Sequence, residues 1–177
     1  MKYIALLRGI NAGKERRVDM KKLKFIFEEL GFADVETYIN SGNVLFKSPK
    51  SKNAVSKSIA KILKNEFDFQ IPVLIKTENE IKKIAKAIPT VWQNDKNQKT
   101  DIAYLFKEFD LEKIVTELPF NKDVVDIRYV KGAVFWNLSR KDYNKSRLNK
   151  LIGRKFYKYM TLRNVNTARF LAGLKDL

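Results

Sequence analysis

Residues 1–47 of this 177-residue chain read MKYIALLRGINAGKERRVDMKKLKFIFEELGFADVETYINSGNVLFK. The apolar run at residues 3–7 is typical of a buried strand that leads into a polar loop. Asp19 is suited to cap a helix over residues 20–30, whose apolar side chains recur at helical spacing, and Gly31 is suited to end it. This stretch therefore predicts a strand, a long polar loop and an amphipathic helix.

A hairpin follows that helix. Two short strands at residues 35–39 and 44–46 are joined by Asn40-Ser41-Gly42-Asn43, a turn with residues that tolerate a positive φ. A second amphipathic helix over residues 52–67 and a strand at residues 71–75 complete the unit. The order βαββαβ predicts the ferredoxin-like arrangement.

The second half repeats this order less clearly. Its predicted elements are a connecting helix (78–88), a strand (102–106), a short helix (111–118), a hairpin (124–130 and 133–138), a helix (142–152) and a terminal helix (168–174). The expected pattern is βαββα with a weak or missing last strand. We predict an α+β protein of two packed ferredoxin-like subdomains with antiparallel sheets, residues 1–77 and 78–177, plus a C-terminal helix.

Composition limits the location of the protein. Hydrophobic residues make up 45% of the chain, enough to build a folded core. No apolar run approaches the roughly 20 residues that a membrane span needs, and residues 1–10 lack the pattern of a signal peptide. We expect a cytoplasmic protein without a membrane partner.

Cysteine and histidine are both absent, which excludes several kinds of chemistry. Disulfides, thiolate nucleophiles, the Ser-His-Asp triad and histidine metal sites are ruled out. An oxygen-ligated Mg²⁺ stays open, but no pair of carboxylates shows acid/base spacing. The sequence predicts no metal site and no cofactor, and it identifies no catalytic residue.

A candidate anion site lies in the two polar turns. A loop between a strand and a helix can hold an anion with its backbone amides, although this loop lacks the Walker A spacing. In a βαββαβ unit both turns lie at the same end of the sheet, so their side chains can converge. The predicted ligand-binding residues here are Arg8, Asn11, Gly13, Ser41 and Asn43. The alternative is a solvated connection and a purely structural turn.

A polar segment near the C-terminus is a second candidate. Arg163 and Asn164 precede an apolar helix and are predicted to face the same anionic ligand. The alternative is structural, with Asn166 or Thr167 serving as the helix N-cap.

The net charge of +16 is concentrated near the C-terminus. Residues 139–170 hold ten basic side chains and one acid, Asp142. Aromatic residues are interleaved with them, as stacking on bases requires. Predicted nucleic-acid contacts are Arg140, Lys145, Arg147, Arg154 and Lys158. The alternatives are an amphipathic helix with core aromatics, and a lysine-rich bias without a function.

The chain also resembles a known family. The motif YIALLRGINAG at residues 3–13, the LGF at residues 30–32 and the SGNV at residues 41–44 are similar to the bacterial domain of unknown function 1697. Residues 163–167 resemble its C-terminal motif. The sequence departs from the family at Lys14, where a second glycine is usual, and at Val165, where tryptophan is common. The resemblance implies two ferredoxin-like subdomains and brings no established activity, cofactor or catalytic residue.

Three functions therefore follow from the sequence as hypotheses. The first is a binding protein for phosphate-bearing ligands, either nucleic acid or a nucleotide, through its basic residues. The second is an enzyme that acts on a small anionic metabolite, and the third is a protein-interaction scaffold. The sequence leaves the ligand and the oligomeric state open.

Overall fold

The computed structural model describes residues 1–174 of the chain. The chain divides into two compact units, one of residues Met1–Asn79 and one that begins at Glu80. Each unit contains a four-stranded antiparallel sheet with helices. The predicted α+β class with two antiparallel sheets is confirmed.

Unit 1 follows the predicted order of elements. They are β1 (Lys2–Leu7), α1 (Met20–Glu29), β2 (Ala33–Tyr38), β3 (Asn43–Lys47), α2 (Lys52–Glu66) and β4 (Val73–Thr77). The strands lie in the order β2-β3-β1-β4, and every neighbouring pair is antiparallel. The sheet of unit 1 is therefore centred on β1 and β3.

The helices of unit 1 form where sequence chemistry favours them. The side chain of Asp19 accepts a hydrogen bond from the Lys22 amide at 2.8 Å and so caps α1, as predicted. Gly31 follows the helix with a φ of 77°. In α2, Val55, Ile59 and Leu63 recur every four residues and are buried, so one stripe of the helix joins the core.

Unit 2 has more short elements. After α3 (Glu78–Ala87), which connects the units along the chain, come β5 (Gln98–Leu105), α4 (Ile114–Glu117), β6 (Asp126–Val130), β7 (Ala133–Ser139), β8 (Met160–Asn164) and α5 (Val165–Leu171). Short 3₁₀ helices occupy Lys107–Phe109, Arg140–Asp142, Leu148–Leu151 and Lys155–Tyr159. The strand order is β6-β7-β5-β8, again antiparallel throughout.

The expectation of a weak or missing last strand is wrong. β8 pairs with β5 along its whole length, with Ile102 opposite Arg163. Its sequence MTLRN has only two apolar residues, and its polar residues Thr161 and Arg163 are buried where an exposed polar face would be expected. Their side chains bond to each other at 3.0 Å, a compensation that a sequence pattern does not reveal.

The predicted helix over residues 142–152 is also wrong. Leu148 and Leu151 are buried as helical spacing suggested, but they belong to a 3₁₀ helix. The Ser146 hydroxyl donates to the Tyr143 carbonyl at 2.6 Å and accepts from the Leu148 amide, so it competes with helical bonds. Arg147 has a left-handed φ of 61°, which interrupts any continuous helix.

The two sheets share one strand order along the chain: second, third, first, fourth. Between its third and fourth strands unit 1 carries the 15-residue helix α2, whereas unit 2 carries residues 140–159. We call residues 140–159 the basic segment. A stretch of 3₁₀ helices and turns therefore stands in unit 2 where unit 1 has an α-helix.

Candidate functional site

The loop after β1 is held closed by Asn11. Its side-chain oxygen accepts from the Val18 amide at 2.8 Å, and its Nδ2 donates to the Val18 carbonyl at 2.9 Å. The Asn11 amide donates to the Arg16 carbonyl at 3.1 Å, and Asn11 itself has a positive φ of 55°. An asparagine tolerates this conformation, so Asn11 sets the shape of the loop.

The loop and the 40–43 turn lie against each other. The Nδ2 of Asn11 also donates to the Asn40 carbonyl at 2.9 Å, and the Leu7 amide donates to the Gly42 carbonyl at 2.8 Å. A Cβ at Gly42 would lie 2.7 Å from Ile10 Cδ1 and 2.7 Å from Leu7 Cβ. Only glycine permits this approach, so the structure brings the two predicted turns together within unit 1.

The other predicted residues of these turns differ in accessibility. Asn43 is fully buried, and its Nδ2 donates to the Tyr38 carbonyl and to Ser41 Oγ, both at 3.0 Å. Gly13 is exposed with a φ of 102°, while Arg8 is half-buried and donates its amide to the Pro72 carbonyl at 2.9 Å. The bonds of Asn43 and Ser41 fix the turn, and binding of an anion by this set stays a prediction.

Arg163 is a buried residue of unit 2. Only 7% of it is exposed, and its Nη1 donates to the Leu162 carbonyl at 2.7 Å as well as to Thr161. Burial lowers the pKa of its guanidinium to about 10. On the neighbouring strand β5, burial raises the pKa of Tyr104. The hydroxyl of Tyr104 has no hydrogen-bond partner among the described residues.

Asn164 caps α5. Its side-chain oxygen accepts from the Thr167 amide at 2.9 Å, so the N-cap is Asn164 and not Asn166 or Thr167. Its predicted role toward an anionic ligand stays a prediction.

Arg169, one of the ten basic residues near the C-terminus, has a structural role. It is 4% exposed, and its guanidinium donates to Gln93 Oε1 at 3.0 Å. The same group donates to the carbonyls of Pro89, Thr90 and Trp92 at 3.0 to 3.2 Å. Arg169 therefore ties the loop after α3 to α5.

The basic segment differs from these buried arginines because its charges are exposed. Its eight basic side chains are Arg140, Lys141, Lys145, Arg147, Lys150, Arg154, Lys155 and Lys158, all exposed. Arg140 donates to the Asp95 carbonyl and to the Asn94 side chain, and Lys145 lies 3.4 Å from Asp142. The Lys158 ammonium lies over the Tyr159 ring and has no acidic partner in the described part of the chain. Within residues 1–174, the side chains of five further cations have no hydrogen bond, ion pair or ring contact: Lys141, Arg147, Lys150, Arg154 and Lys155.

The basic segment is attached to the core of unit 2 by apolar side chains. Leu148, Leu151 and Phe156 are buried and pack with residues of β5, β7 and β8. Phe109 stacks between Phe156, at 5.5 Å, and Tyr159, at 5.3 Å. The arrangement presents charged side chains to solvent from a fixed backbone, and it places these aromatic rings against one another.

Unit 1 contains a cavity that the sequence did not indicate. Its volume is about 780 Å³, and its lining includes Phe67, Phe69, Ile71 and Lys64. The guanidinium of Arg16 lies 5.9 Å from the centre of the Phe69 ring. The cavity lies beside the loop after β1, because the Arg8 amide binds Pro72 of its lining.

Acidic residues form no metal centre in residues 1–174, where no group of three or more is placed to hold an ion. Asp123, Asp126 and Asp142 contribute to the lining of a second cavity, of about 640 Å³, in unit 2. Over the same part of the chain, none of the helices combines the length and apolar character that crossing a bilayer needs.

Comparison with known proteins places this sequence in a family. A family described as "Protein of unknown function (DUF1697)" matches residues 1–136. The chain belongs to the DUF1697 family. The match ends before the basic segment and before residues 163–167, so the resemblance of those five residues to the family's C-terminal motif stays a prediction.

The fold has a counterpart among solved structures. The conserved bacterial protein SP0830 from Streptococcus pneumoniae is 25% identical, with a TM-score of 0.85 over 99% of this chain and 98% of that one. No curated protein is significantly similar to the chain in sequence. Membership of DUF1697 is thus established, and the function of the family is unknown.

Proposed function

We propose that this DUF1697 protein is a cytoplasmic binding protein for phosphate-bearing ligands, and that nucleic acid binds to the basic segment of unit 2. One observation carries the proposal: all eight basic side chains of the segment are exposed, and five of them have no side-chain partner of any kind in residues 1–174. Unpaired, exposed cations on a fixed backbone attract phosphates by releasing counterions from them.

The architecture supports this proposal. We infer that the two units correspond to the predicted subdomains 1–77 and 78–177 and that each is ferredoxin-like, because the strand orders β2-β3-β1-β4 and β6-β7-β5-β8 fit a split βαβ pattern. In unit 1 the connection between the third and fourth strands is an amphipathic helix. In unit 2 the same connection carries eight basic residues and one acid. The change from α2 to the basic segment is what gives unit 2 a surface suited to phosphates.

The matched helix offers a control for the test. The triple variant Lys150→Gln, Lys155→Gln, Lys158→Gln removes three charges from the basic segment, and Lys57→Gln, Lys61→Gln, Lys64→Gln removes three exposed charges from α2. Binding to a fluorescent 20-base-pair duplex is measured by anisotropy at several salt concentrations. We expect the first triple to weaken binding at least tenfold and to reduce the slope of log K against log salt by about 3, at about 0.9 per phosphate contact.

The control triple should bind within about twofold of the wild type at each salt concentration, because its charges lie in the other unit. Equal weakening by the two triples would show attraction to net charge alone. No binding by the wild type at low ionic strength would refute the proposal.

A second candidate function is binding of a small anionic metabolite in the cavity of unit 1. About 780 Å³ is within the range of ligand pockets, and the lining combines aromatic rings with Lys64. The dye 1-anilinonaphthalene-8-sulfonate, an aromatic anion, is a suitable probe. We expect Ala60→Trp, which fills the lining, to abolish its fluorescence gain, whereas Lys57→Trp on the same helix should not.

A further inference from the structure

We propose that the basic segment recognises the phosphate backbone of double-stranded nucleic acid without reading or stacking the bases. This inference rests on the proposed function and specifies its ligand. It predicts tighter binding of double-stranded than of single-stranded nucleic acid.

Three of the four aromatic rings of the segment, Phe156, Tyr157 and Tyr159, already pack in or against the core of unit 2. Proteins that bind single strands offer exposed ring faces on which bases stack. Here Phe156 is buried, Phe109 stacks on both Phe156 and Tyr159, and the Lys158 ammonium lies 4.9 Å from the Tyr159 ring centre. Tyr143, 43% exposed, is the most accessible ring of the segment. One accessible ring does not make a stacking platform.

The segment also lacks an element that could read a groove. Base edges in the major groove are reached by an α-helix or by a two-stranded ribbon. Residues 140–159 form three 3₁₀ helices of three to five residues, separated by turns. Leu148 and Leu151 hold the middle one in the core, so the backbone cannot enter a groove as a unit.

The distribution of charge favours the duplex over the single strand. Double-stranded DNA carries about one negative charge per 1.7 Å of its axis, roughly twice the density of one strand. The five unpaired cations extend from Lys141 to Lys155 along a backbone that the core holds in place. The dense and stiff array of phosphates on a duplex can therefore contact more of these cations at once than a flexible single strand can.

One feature of the segment resembles a lipid-binding loop. Ile152 is 69% exposed and lies between Lys150 and Arg154. Binding at a membrane surface requires a larger apolar area together with basic residues. A single exposed isoleucine among five unpaired cations favours nucleic acid, and vesicles serve as the competing ligand in the test.

The experiment compares ligands on the full-length protein at one low salt concentration. The probes are 20-base-pair DNA duplexes of two unrelated sequences, an RNA duplex, the corresponding single strands, tripolyphosphate, and vesicles of phosphatidylserine and phosphatidylcholine. We expect duplexes to bind at least tenfold more tightly than single strands, and the two DNA sequences to agree within threefold. Tyr143→Ala, with folding checked by circular dichroism, should change duplex binding by less than twofold.

Several results would overturn the inference while leaving the proposed function intact. They are tighter binding of single strands, a tenfold preference between the two sequences, a large loss on Tyr143→Ala, or tripolyphosphate binding as tightly as a duplex. Vesicle binding that Ile152→Ser abolishes, with no duplex binding, would overturn both the inference and the nucleic-acid assignment. The absence of binding to every probe would refute the proposed function itself.

Discussion

Gly42 is the residue on which the junction of the two polar turns in unit 1 depends. Its φ of 75° lies in the left-handed region, and its missing side chain leaves room for Leu7 and Ile10. Gly31 has nearly the same φ, 77°, but nothing lies within 4 Å of the position its Cβ would take. Substitution of Gly31 therefore tests backbone strain alone, whereas substitution of Gly42 tests backbone strain together with steric overlap.

Gly31→Ala should lower the free energy of unfolding by about 1 kcal/mol, which is the strain of a left-handed alanine. Gly42→Ala should lose about 1–3 kcal/mol more, because the new methyl group overlaps two buried side chains. Urea denaturation followed by circular dichroism measures both. Equal losses for the two variants would contradict the close packing of the turns.

Asp110 is the acid whose environment gives a pH dependence. Burial alone would raise the pKa of its carboxyl, but hydrogen bonds outweigh that effect. The Gly132 amide donates at 2.7 Å, the Tyr129 hydroxyl donates at 3.0 Å, and the Lys131 ammonium lies 3.2 Å away. The pKa of Asp110 therefore lies below its usual value, and burial together with the bond to Asp110 raises the pKa of Tyr129 to about 12. Together these bonds hold the turn between β6 and β7.

This carboxyl should stabilise the fold at neutral pH and not in acid. The unfolded chain, with an aspartate pKa of about 3.9, takes up the proton first as the pH falls. The contribution is thus complete above about pH 5 and is lost as the pH falls through the lower folded pKa. Asp110→Asn should reduce the difference between urea midpoints at pH 6 and pH 3. Asn144→Gln, at an exposed position without an ionisable side chain, is the control and should leave that difference unchanged.

At the scale of elements, α5 depends on its cap. The helix has seven residues, and Asn164 satisfies the Thr167 amide at its start. Asn164→Ala should lower the free energy of unfolding by about 1 kcal/mol. Asn164→Asp should keep most of the wild-type stability, because an aspartate accepts the same hydrogen bond from the Thr167 amide as the asparagine does. Thermal unfolding at pH 7 compares the variants. Equal loss in both would indicate that the amide nitrogen of Asn164, and not its cap bond, is required.

The elements of unit 1 were predictable because local and tertiary preferences agree. In α1 and α2 a capping side chain precedes an apolar stripe, so the sequence located both helices to within a residue or two. In the basic segment the local and the tertiary preferences disagree. Leu148, Leu151 and Ile152 have helical spacing, yet Ser146 and Arg147 break the backbone before them.

At the scale of the whole molecule, the sequence predicted the class and the order of strands in unit 1 better than those of unit 2. β8 was not predicted because its polar residues Thr161 and Arg163 are buried and hydrogen-bonded to each other, whereas two polar side chains in a short sequence indicate an exposed segment. Among the candidate site residues, the exposure of the basic segment could be anticipated from its charge. The structural bonds of Asn11 and Asn43 could not, because their partners are backbone atoms brought close only by folding.

The replacement of α2 by the basic segment has a consequence for the evolution of the family. Two sheets with the same strand order suggest that one unit was duplicated. In unit 2 the connection between the third and fourth strands contributes only Leu148, Leu151 and Phe156 to the buried core, so the rest of its sequence is free to diverge. The family match ends at residue 136, just before that connection. Related chains should therefore vary more in length and charge between β7 and β8 than between β5 and β7, and an alignment of relatives measures this directly. Where that charge is missing, the lineage should have lost the ligand and kept the fold.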